Sequence, residues 1–264
     1  MSNIVSFARH SQKISNIAPH YHDTHQIIFI KKGLAEITVN SQKYIAEDNT
    51  LILLSRFEMH SIKILSDTYE RFQIRINPNE LDYGNLSSLY SVLINRPEGF
   101  CHINTVKRDL FMPIFKNIVY EFENKLEYSN EMQKSLLDEL LILIYRELPH
   151  LFTSENEHND IIIRIQQEFE TNFKDDFSLE YISSKYHLNP YYLSHLFKKI
   201  TGYSVMGYLK SVRISAAKRM LIKTNLSIGE IVENCGFSDI SNFCRMFKNS
   251  NGLTPKEFRK KYNF

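Results

Sequence analysis

The feature that most constrains the fold is a repeat in the C-terminal part of the chain. The segments SLEYISSKYHLNPYYLSHLFKKITG (178–202) and SIGEIVENCGFSDISNFCRMFKNSNG (227–252) align once the second is given one extra residue in its turn. Each copy predicts a short helix, a turn and a second helix, the pattern of a helix-turn-helix. A duplicated helical hairpin without a ligand would leave the same pattern. The matched pairs are Ser178/Ser227, Ile182/Ile231, Leu193/Phe243, Phe197/Phe247, Lys198/Lys248 and Gly202/Gly252.

Start and stop signals delimit the helices of this region. Asn189 before Pro190 is typical of an N-cap followed by proline in the first turn. Two capping boxes are present, Ser227 to Glu230 and Thr254 to Glu257. Glycines stand where a left-handed C-cap residue is favoured, at Gly202, Gly236 and Gly252. These signals predict helices over 160–172, 179–186, 190–200, 204–222, 228–234, 240–249 and 255–262.

The helix predicted between the two copies has a length that suits DNA. At 1.5 Å per residue, residues 204–222 span about 28 Å. Successive major-groove faces on one side of B-DNA lie roughly 34 Å apart. Two second helices held on such a spacer could therefore enter adjacent grooves.

The second helix of each copy has an apolar stripe and an opposite polar face. Arginine can bond guanine in a bidentate manner and asparagine can bond adenine, so the polar face predicts base contacts. Basic residues around it predict phosphate contacts, which set the register without reading sequence. The predicted base contacts are Tyr191, Tyr192, Ser194, His195, Ile240, Ser241, Asn242 and Arg245. The predicted phosphate contacts are Lys198, Lys199, Lys210, Arg213 and Lys248.

The charge balance differs between the two halves of the chain. Residues 1–158 hold 16 Lys+Arg against 20 Asp+Glu, whereas residues 159–264 hold 16 against 10. A basic second half favours a polyanionic partner, here double-stranded DNA. A solvated basic surface would give the same balance.

The N-terminal half has a different pattern. Short β-branched and aromatic runs between residues 26 and 76 are separated by turn signals and predict an antiparallel sandwich or barrel. Apolar residues at helical spacing follow from about 107 to 148 and predict two helices. We therefore predict an α+β chain of two domains: an antiparallel β-barrel (1–105) with a helical hairpin (106–150), a linker (151–158), and an all-α double helix-turn-helix domain (159–264) with units at 179–200 and 228–249.

The segment 216–262 resembles the signature of AraC/XylS-type transcription regulators, and 193–214 is similar to the first half of that domain. The positions that carry the resemblance are Ala217, Leu221, Ile228, Ile231, Gly236, Phe237, Asp239, Ser241, Phe243, Arg245, Phe247, Lys248, Gly252, Pro255, Phe258 and Arg259. The resemblance implies a sequence-specific DNA-binding regulator, often an activator of genes for sugar uptake or virulence. It also implies that the helical pair 106–150 mediates a homodimer and that RNA polymerase is a partner. The apolar stripes of these helices are equally compatible with covering the barrel.

The segment 19–60 resembles the cupin-like effector domain found in many of these regulators. His20 and His22 alternate, so they point to one face of an extended strand, and His60 follows later. Three interpretations remain open for these histidines: a metal site, a polar lining of an effector pocket, or ordinary core and rim residues. Metal-binding cupins usually have a carboxylate where this chain has Gln26, so we predict no metal and no cofactor. The predicted effector-pocket residues are His20, His22, His25, His60 and Phe72.

The resemblance thus predicts a non-enzymatic regulator whose N-terminal domain senses a small molecule, with a sugar as one candidate. Two alternatives remain: a cupin metalloenzyme, such as an oxygenase or sugar isomerase, fused to a DNA-binding tail, or an N-terminal domain used only for protein contacts. The start MSNIVSFARHSQK lacks the basic and apolar regions of a secretory signal, and residues 136–148 are too short to span a bilayer. We expect a cytoplasmic protein without membrane contact. Its three cysteines form no disulfide or zinc pattern.

Overall fold

The chain forms two compact units, residues 1–157 and 158–264. The strands and one helical pair belong to the first unit, and the repeated helices belong to the second. In the part of the chain that the structure describes, no helix is long and apolar enough to cross a bilayer. The structure is a computed structural model, and it describes residues 4–12, 15–39, 42–78, 89, 93, 100–102, 105–149 and 157–262.

The described strands of the first unit form two antiparallel sheets. One has the order β1-β8-β3-β6-β9 and the other has the order β2-β7-β4-β5. The strands are β1 (Val5–Ser11), β2 (Ile17–His20), β3 (His25–Lys32), β4 (Ala35–Val39), β5 (Gln42–Ala46), β6 (Thr50–Leu54), β7 (His60–Ile64), β8 (Glu70–Ile76) and β9 (Phe100–His102). The predicted antiparallel β domain is confirmed, but as two separate sheets in place of a closed barrel.

Strand β3 lies in the centre of this unit. Its residues from His25 to Ile30 are all buried, because both faces of its sheet are covered. Ile28 and Ile30 pack with residues of the second sheet, whereas Ile27 and Phe29 pack in the cluster that includes the helical pair. The apolar run QIIFI therefore reflects burial on two sides.

Two helices cover the outer face of the five-stranded sheet. They are α1 (Thr105–Asn124) and α2 (Ser129–Glu147), close to the predicted pair. The ring of Phe115 on α1 stacks on Phe29 of β3, with ring centroids 5.2 Å apart. Five buried residues of α2, from Leu136 to Ile144, join the same cluster. The helical pair thus forms part of the core of the first unit.

The second unit is helical throughout its regular structure. Its helices are α3 (Glu157–Thr171), α4 (Leu179–Lys185), α5 (Pro190–Thr201), α6 (Val205–Lys223), α7 (Ile228–Asn234), α8 (Ile240–Asn251) and α9 (Pro255–Tyr262). The predicted helices are all present, with ends shifted by three residues or fewer. Of the predicted linker, positions 151–156 lie outside the described residues.

The two copies of the repeat have the same local geometry. Asn189 caps α5 by accepting from the backbone N–H groups of Tyr191 and Tyr192. Asp239 caps α8 in the same way, through the N–H groups of Ser241 and Asn242. A left-handed glycine ends each helix, at Gly202 (φ 78°) and Gly252 (φ 71°). The sequence repeat is therefore a structural repeat.

The turn inside each copy also needs a left-handed residue. His187 (φ 54°) occupies this position in the first copy and Gly236 (φ 72°) in the second. A Cβ atom at Gly236 would lie 2.7 Å from the carbonyl oxygen of Lys174 and 3.1 Å from the guanidinium of Arg213. Only glycine fits at that point, since both the conformation and the space exclude a side chain.

Candidate nucleic-acid interface and effector cavity

Helix α5 presents an exposed aromatic and polar face. Leu193 and Phe197 are buried on its other side, and Phe197 contacts Tyr208 of α6 with ring centroids 5.7 Å apart. Tyr191 is 76% exposed and Tyr192 41% exposed, although both side chains are large and partly apolar. His195 is exposed and lies beside the ring of Tyr191, at 5.5 Å. Ser194 is half-buried on the same helix.

Helix α8 presents a corresponding face in the second copy. Phe243 and Phe247 are completely buried, and Phe247 packs edge-on against Phe258 of α9. Its opposite side holds the predicted base-contact residues: Ile240 is 51% exposed, Ser241 and Arg245 are exposed, and Asn242 is half-buried. The guanidinium of Arg245 donates to Oδ1 of Asn242 at 3.1 Å. This bond brings together the two side chains best suited to read bases.

Four of the five predicted phosphate contacts are exposed lysines. Lys198, Lys199 and Lys248 lie in the last turns of α5 and α8, and Lys210 lies on α6. Exposed ammonium groups at these positions are suited to phosphate contacts. Their contact with DNA stays a prediction.

Arg213, the fifth, has a different role. Its Nε donates to the carbonyl oxygen of Phe173 at 2.8 Å, and its guanidinium also donates to the carbonyl of Asp175 at 2.7 Å. Burial lowers the pKa of Arg213, and the nearby carboxylate of Asp176 opposes this effect. The guanidinium also lies beside Phe237 and the turn at Gly236. Arg213 thus fixes the loop after α3 to α6, and its predicted phosphate contact stays a prediction.

A cavity of about 190 Å³ lies in the first unit. The strand β8 contributes its alternate side chains Arg71, Gln73 and Arg75, while its intervening Phe72, Ile74 and Ile76 pack toward the helices. The register places Gln26 of β3 opposite Arg75. The remaining lining residues are Phe7, Arg9, Ser11, Ile17, His20, His60 and Ile62.

Charge in this cavity is strongly positive. Arg71 is 9% exposed and its guanidinium lies over the ring of Tyr69, while that of Arg75 lies over the ring of Phe7. Burial lowers the pKa of Arg75, and Asp23 opposes this shift. The Nε atoms of Arg71 and Arg75 and Oε1 of Gln26 are buried without a hydrogen-bond partner among the described residues. Buried polar groups usually have partners, so this lining is suited to a polar ligand with an anionic group.

Three histidines meet at one end of the cavity. Nε2 of His20 lies 3.1 Å from Nε2 of His22, and the ring centroids of His20 and His60 are 4.4 Å apart. Burial lowers the pKa of His22 to about 3, with a further contribution from Arg75. Burial likewise lowers the pKa of His60 to about 4, although its bond to the carbonyl of Glu58 opposes this. Both imidazoles are therefore neutral at neutral pH.

The sequence identified only part of this lining. His20 and His60 line the cavity and His22 lies against them, but two of the predicted pocket residues lie elsewhere. Phe72 stacks on His10 and packs against Phe115 toward the helices, because alternation along β8 turns it away from the cavity. His25 is buried and accepts from the backbone N–H of Arg56. The missed residues include Arg9, Gln26, Arg71, Gln73 and Arg75, and the alternating segment RFQIRI was the available signal for the last three.

Two family models match the chain. An AraC-like ligand binding domain matches residues 5–110, and a helix-turn-helix domain matches residues 182–261. The first match contains the two sheets and the cavity, and the second contains α5 and α8.

Known proteins resemble the chain over most of its length. The uncharacterized HTH-type transcriptional regulator YdiP of Escherichia coli (strain K12) is 24% identical over 261 residues, covering 92% of this chain and 81% of YdiP. The HTH-type transcriptional activator RhaR of Shigella dysenteriae serotype 1 is 22% identical over 252 residues, covering 92% of this chain and 86% of RhaR. The crystal structure of ToxT from Vibrio cholerae O395 has the same fold, with a TM-score of 0.56 at 16% identity over 97% of this chain and 96% of ToxT.

The hydrogen bonds from Arg213 to the loop after α3 can be tested by substitution. Arg213→Ala leaves two backbone carbonyls without their donor, so we expect the free energy of unfolding of the second unit to fall by about 2 kcal/mol. Lys210→Ala, on the exposed side of the same helix, is the matched control and should leave unfolding unchanged. Urea unfolding followed by circular dichroism measures both. Equal stability of the two variants would contradict the structural role.

Proposed function

This chain belongs to the AraC-type transcription regulators, with a ligand binding domain before a helix-turn-helix DNA-binding domain, and we propose that it reads DNA with α5 and α8 together. The observation that carries this proposal is the repeated geometry of the two helices. Both are capped through two N–H groups and end at a left-handed glycine, and both bury two apolar side chains beneath an exposed polar face. A duplicated helical hairpin that bound no ligand would not require an exposed polar face of the same geometry on each copy.

The reading faces differ in chemistry. In α8, Arg245 and Asn242 provide bidentate hydrogen bonding, and Ile240 provides an apolar contact for a thymine methyl group. In α5, Tyr191, Tyr192, Ser194 and His195 offer rings and hydroxyl or imidazole groups. We assign the sharper base discrimination to α8. The lysines at the helix ends supply the phosphate contacts.

The N-terminal unit senses a small molecule in the cavity between its sheets. We assign to this effector an anionic group that pairs with Arg71 and Arg75, and hydroxyl or amide groups that bond Gln26 and Gln73. A sugar acid combines these features within about 190 Å³. We assign the cavity to sensing, because the matching family model is an AraC-like ligand binding domain that contains it.

Effector binding in the N-terminal unit controls how the C-terminal unit binds DNA. The effector shifts the population of arrangements in which paired DNA-binding units engage their half-sites. A homodimer formed through α1 and α2 would supply the pair, and these helices carry exposed large apolar side chains such as Leu110 and Tyr120. RhaR is named an activator, and we assign activation through RNA polymerase in the cytoplasm to this chain as well.

Substitutions on α8 and α5 separate base reading from phosphate contact. Arg245→Ala should lose roughly 1–3 kcal/mol of discrimination at one base position, since it removes a base contact. Lys198→Ala should weaken binding to all sequences alike and reduce the salt dependence by about one ion, since it removes a phosphate contact. Binding-site selection and salt titration measure the two effects. Unchanged specificity in Arg245→Ala would show that α8 does not read that base.

The effector class is tested by ligand-dependent thermal unfolding. A ligand that binds the native state must raise the unfolding temperature. We expect sugar acids and hydroxy acids to stabilise the whole chain, and Arg75→Gln to lose that stabilisation. Stabilisation by neutral sugars alone, retained in Arg75→Gln, would contradict an anionic effector.

A further inference from the structure

Strand β8 places two arginines at separate positions along the cavity. Arg71 and Arg75 are four residues apart, so their Cα atoms are about 13 Å apart at 3.3 Å per residue. Both line the cavity, because alternate residues of a strand point to the same side. Gln73 lies between them on that side. The cavity therefore has two cationic positions with a neutral amide between them.

Each guanidinium rests against a different aromatic ring. That of Arg71 lies 5.5 Å from the ring centroid of Tyr69 and donates to the Tyr69 hydroxyl at 3.4 Å. That of Arg75 lies 4.7 Å from the ring centroid of Phe7. Phe7 is the partner of Arg75 on β1, whereas Tyr69 precedes the opposite end of β8. A single carboxylate shared by both guanidiniums would have to draw one of them away from its ring.

Both arginines keep donors for a ligand. The Nε atoms of Arg71 and Arg75 are buried without a hydrogen-bond partner among the described residues. Burial lowers the pKa of Arg75, the carboxylate of Asp23 opposes this effect, and the charge of Arg71 lowers the pKa further. The repulsion between the two guanidiniums is relieved best when each has an anion of its own. A carboxylate suits either one, since it can accept two parallel hydrogen bonds from a guanidinium.

The position of Gln26 adds a requirement at one end. Gln26 of β3 pairs in register with Arg75, and its Oε1 is buried without a partner among the described residues. This oxygen accepts only from a donor, which a carboxylate does not provide. A hydroxyl group on the carbon next to the carboxylate would provide one. The Arg75 end of the cavity is therefore suited to a 2-hydroxy acid.

The wall formed by the second sheet carries little charge. It contributes the apolar side chains of Ile17 and Ile62 and the imidazoles of His20 and His60. Burial lowers the pKa of His60 to about 4, so this ring is neutral at neutral pH. The third arginine of the lining, Arg9, is exposed, and solvent screens its charge. The strong anion-binding positions are thus the two on β8.

The spacing of these positions limits the length of a ligand that pairs with both. An extended six-carbon chain separates its terminal carbons by roughly 6 Å. A charge-assisted hydrogen bond of about 2.8 Å at each end extends this reach toward the guanidiniums. A diacid of about four to six carbons can therefore contact both arginines while each stays on its own ring.

We propose that the cavity binds a hydroxylated dicarboxylate, with one carboxylate on Arg71 and the other, beside its neighbouring hydroxyl group, on Arg75 and Gln26. This proposal rests on the proposed sensing role of the cavity and adds a second anionic group to its effector. A monocarboxylate of the same length fills only one of the two positions and binds more weakly.

The test compares two six-carbon acids on the whole chain by titration calorimetry. Galactarate has a carboxylate at each end, and galactonate has the same hydroxylated chain with one carboxylate replaced by a CH₂OH group. Galactarate should bind with a stoichiometry of one per chain and about 10–100-fold more tightly than galactonate, because it makes one more charge-assisted pair. This comparison needs no substitution in the protein.

Substitutions then assign the two carboxylates. Galactonate should occupy the Arg75 end, where Gln26 accepts from its hydroxyl group. Arg75→Gln should therefore weaken both acids, whereas Arg71→Gln should weaken galactarate alone, by about 10–100-fold. Lys63→Gln is the control, because it removes an exposed cation next to Ile62 on the side of β7 that faces away from the cavity, and it should bind both acids as the parent does. Circular dichroism checks folding, and Arg71→Lys, which lacks the forked donors, replaces an unfolded Arg71→Gln.

The outcomes separate this proposal from the proposed function. Equal affinity of the parent for the two acids, with both lost in Arg71→Gln and in Arg75→Gln, would place one carboxylate between the arginines. That result would overturn the second anionic group and leave an anionic effector in place. Failure of galactarate, adipate and tartrate to bind the parent would also overturn the dicarboxylate, and binding of galactose alone would overturn both proposals.

Discussion

The packing of α5 and α8, the two helices proposed to read DNA, depends on the buried helix α6. Nine of its residues are buried, and from Ile214 to Ala217 four consecutive positions have no exposed face. Such a helix is surrounded by its neighbours, and α6 packs against α5, α7 and α9. The small side chains of Ser215, Ala216 and Ala217 allow those neighbours to approach closely. Both helix pairs therefore share α6 as a packing partner, and Phe243 and Phe247 of α8 lie in the same buried cluster as Ala216 and Ala217 of α6.

In the first unit, a single strand likewise turns one set of side chains toward the core and the other set toward the cavity. The segment RFQIRI of β8 alternates strictly, so Arg71, Gln73 and Arg75 face the cavity while the residues between them pack toward α1 and α2. One strand thus contributes both to the core and to the binding surface. A change in how a ligand pairs with the arginines acts on the same strand that carries the helical pair. An effector bound to the arginines would therefore act on a strand that packs directly against α1 and α2, the helices proposed to form the dimer.

Local signals predicted the second unit well. Caps such as Asn189 and Asp239 and stops such as Gly202 and Gly252 act within a few residues, so the sequence alone located the helices and the two exposed faces. The role of Arg213 escaped prediction because its partners, the carbonyls of Phe173 and Asp175, lie about 40 residues upstream. The fold of the first unit was predicted as antiparallel β, but its separation into two sheets depends on long-range pairing. Phe72 was misplaced for the same reason, since only the strand register decides which set of an alternating strand faces the cavity.

We propose that one chain reads DNA at two places, through the two copies of a duplicated helical element joined by α6. Selection of duplexes by the whole chain, followed by sequencing, tests it most directly. We expect two short blocks of preferred sequence per chain, with centres about 10–10.5 base pairs apart. Substitution on α8 should erase one block and substitution of Tyr191 on α5 should weaken the other. A single block that survives changes in α5, or blocks with variable spacing, would contradict the account.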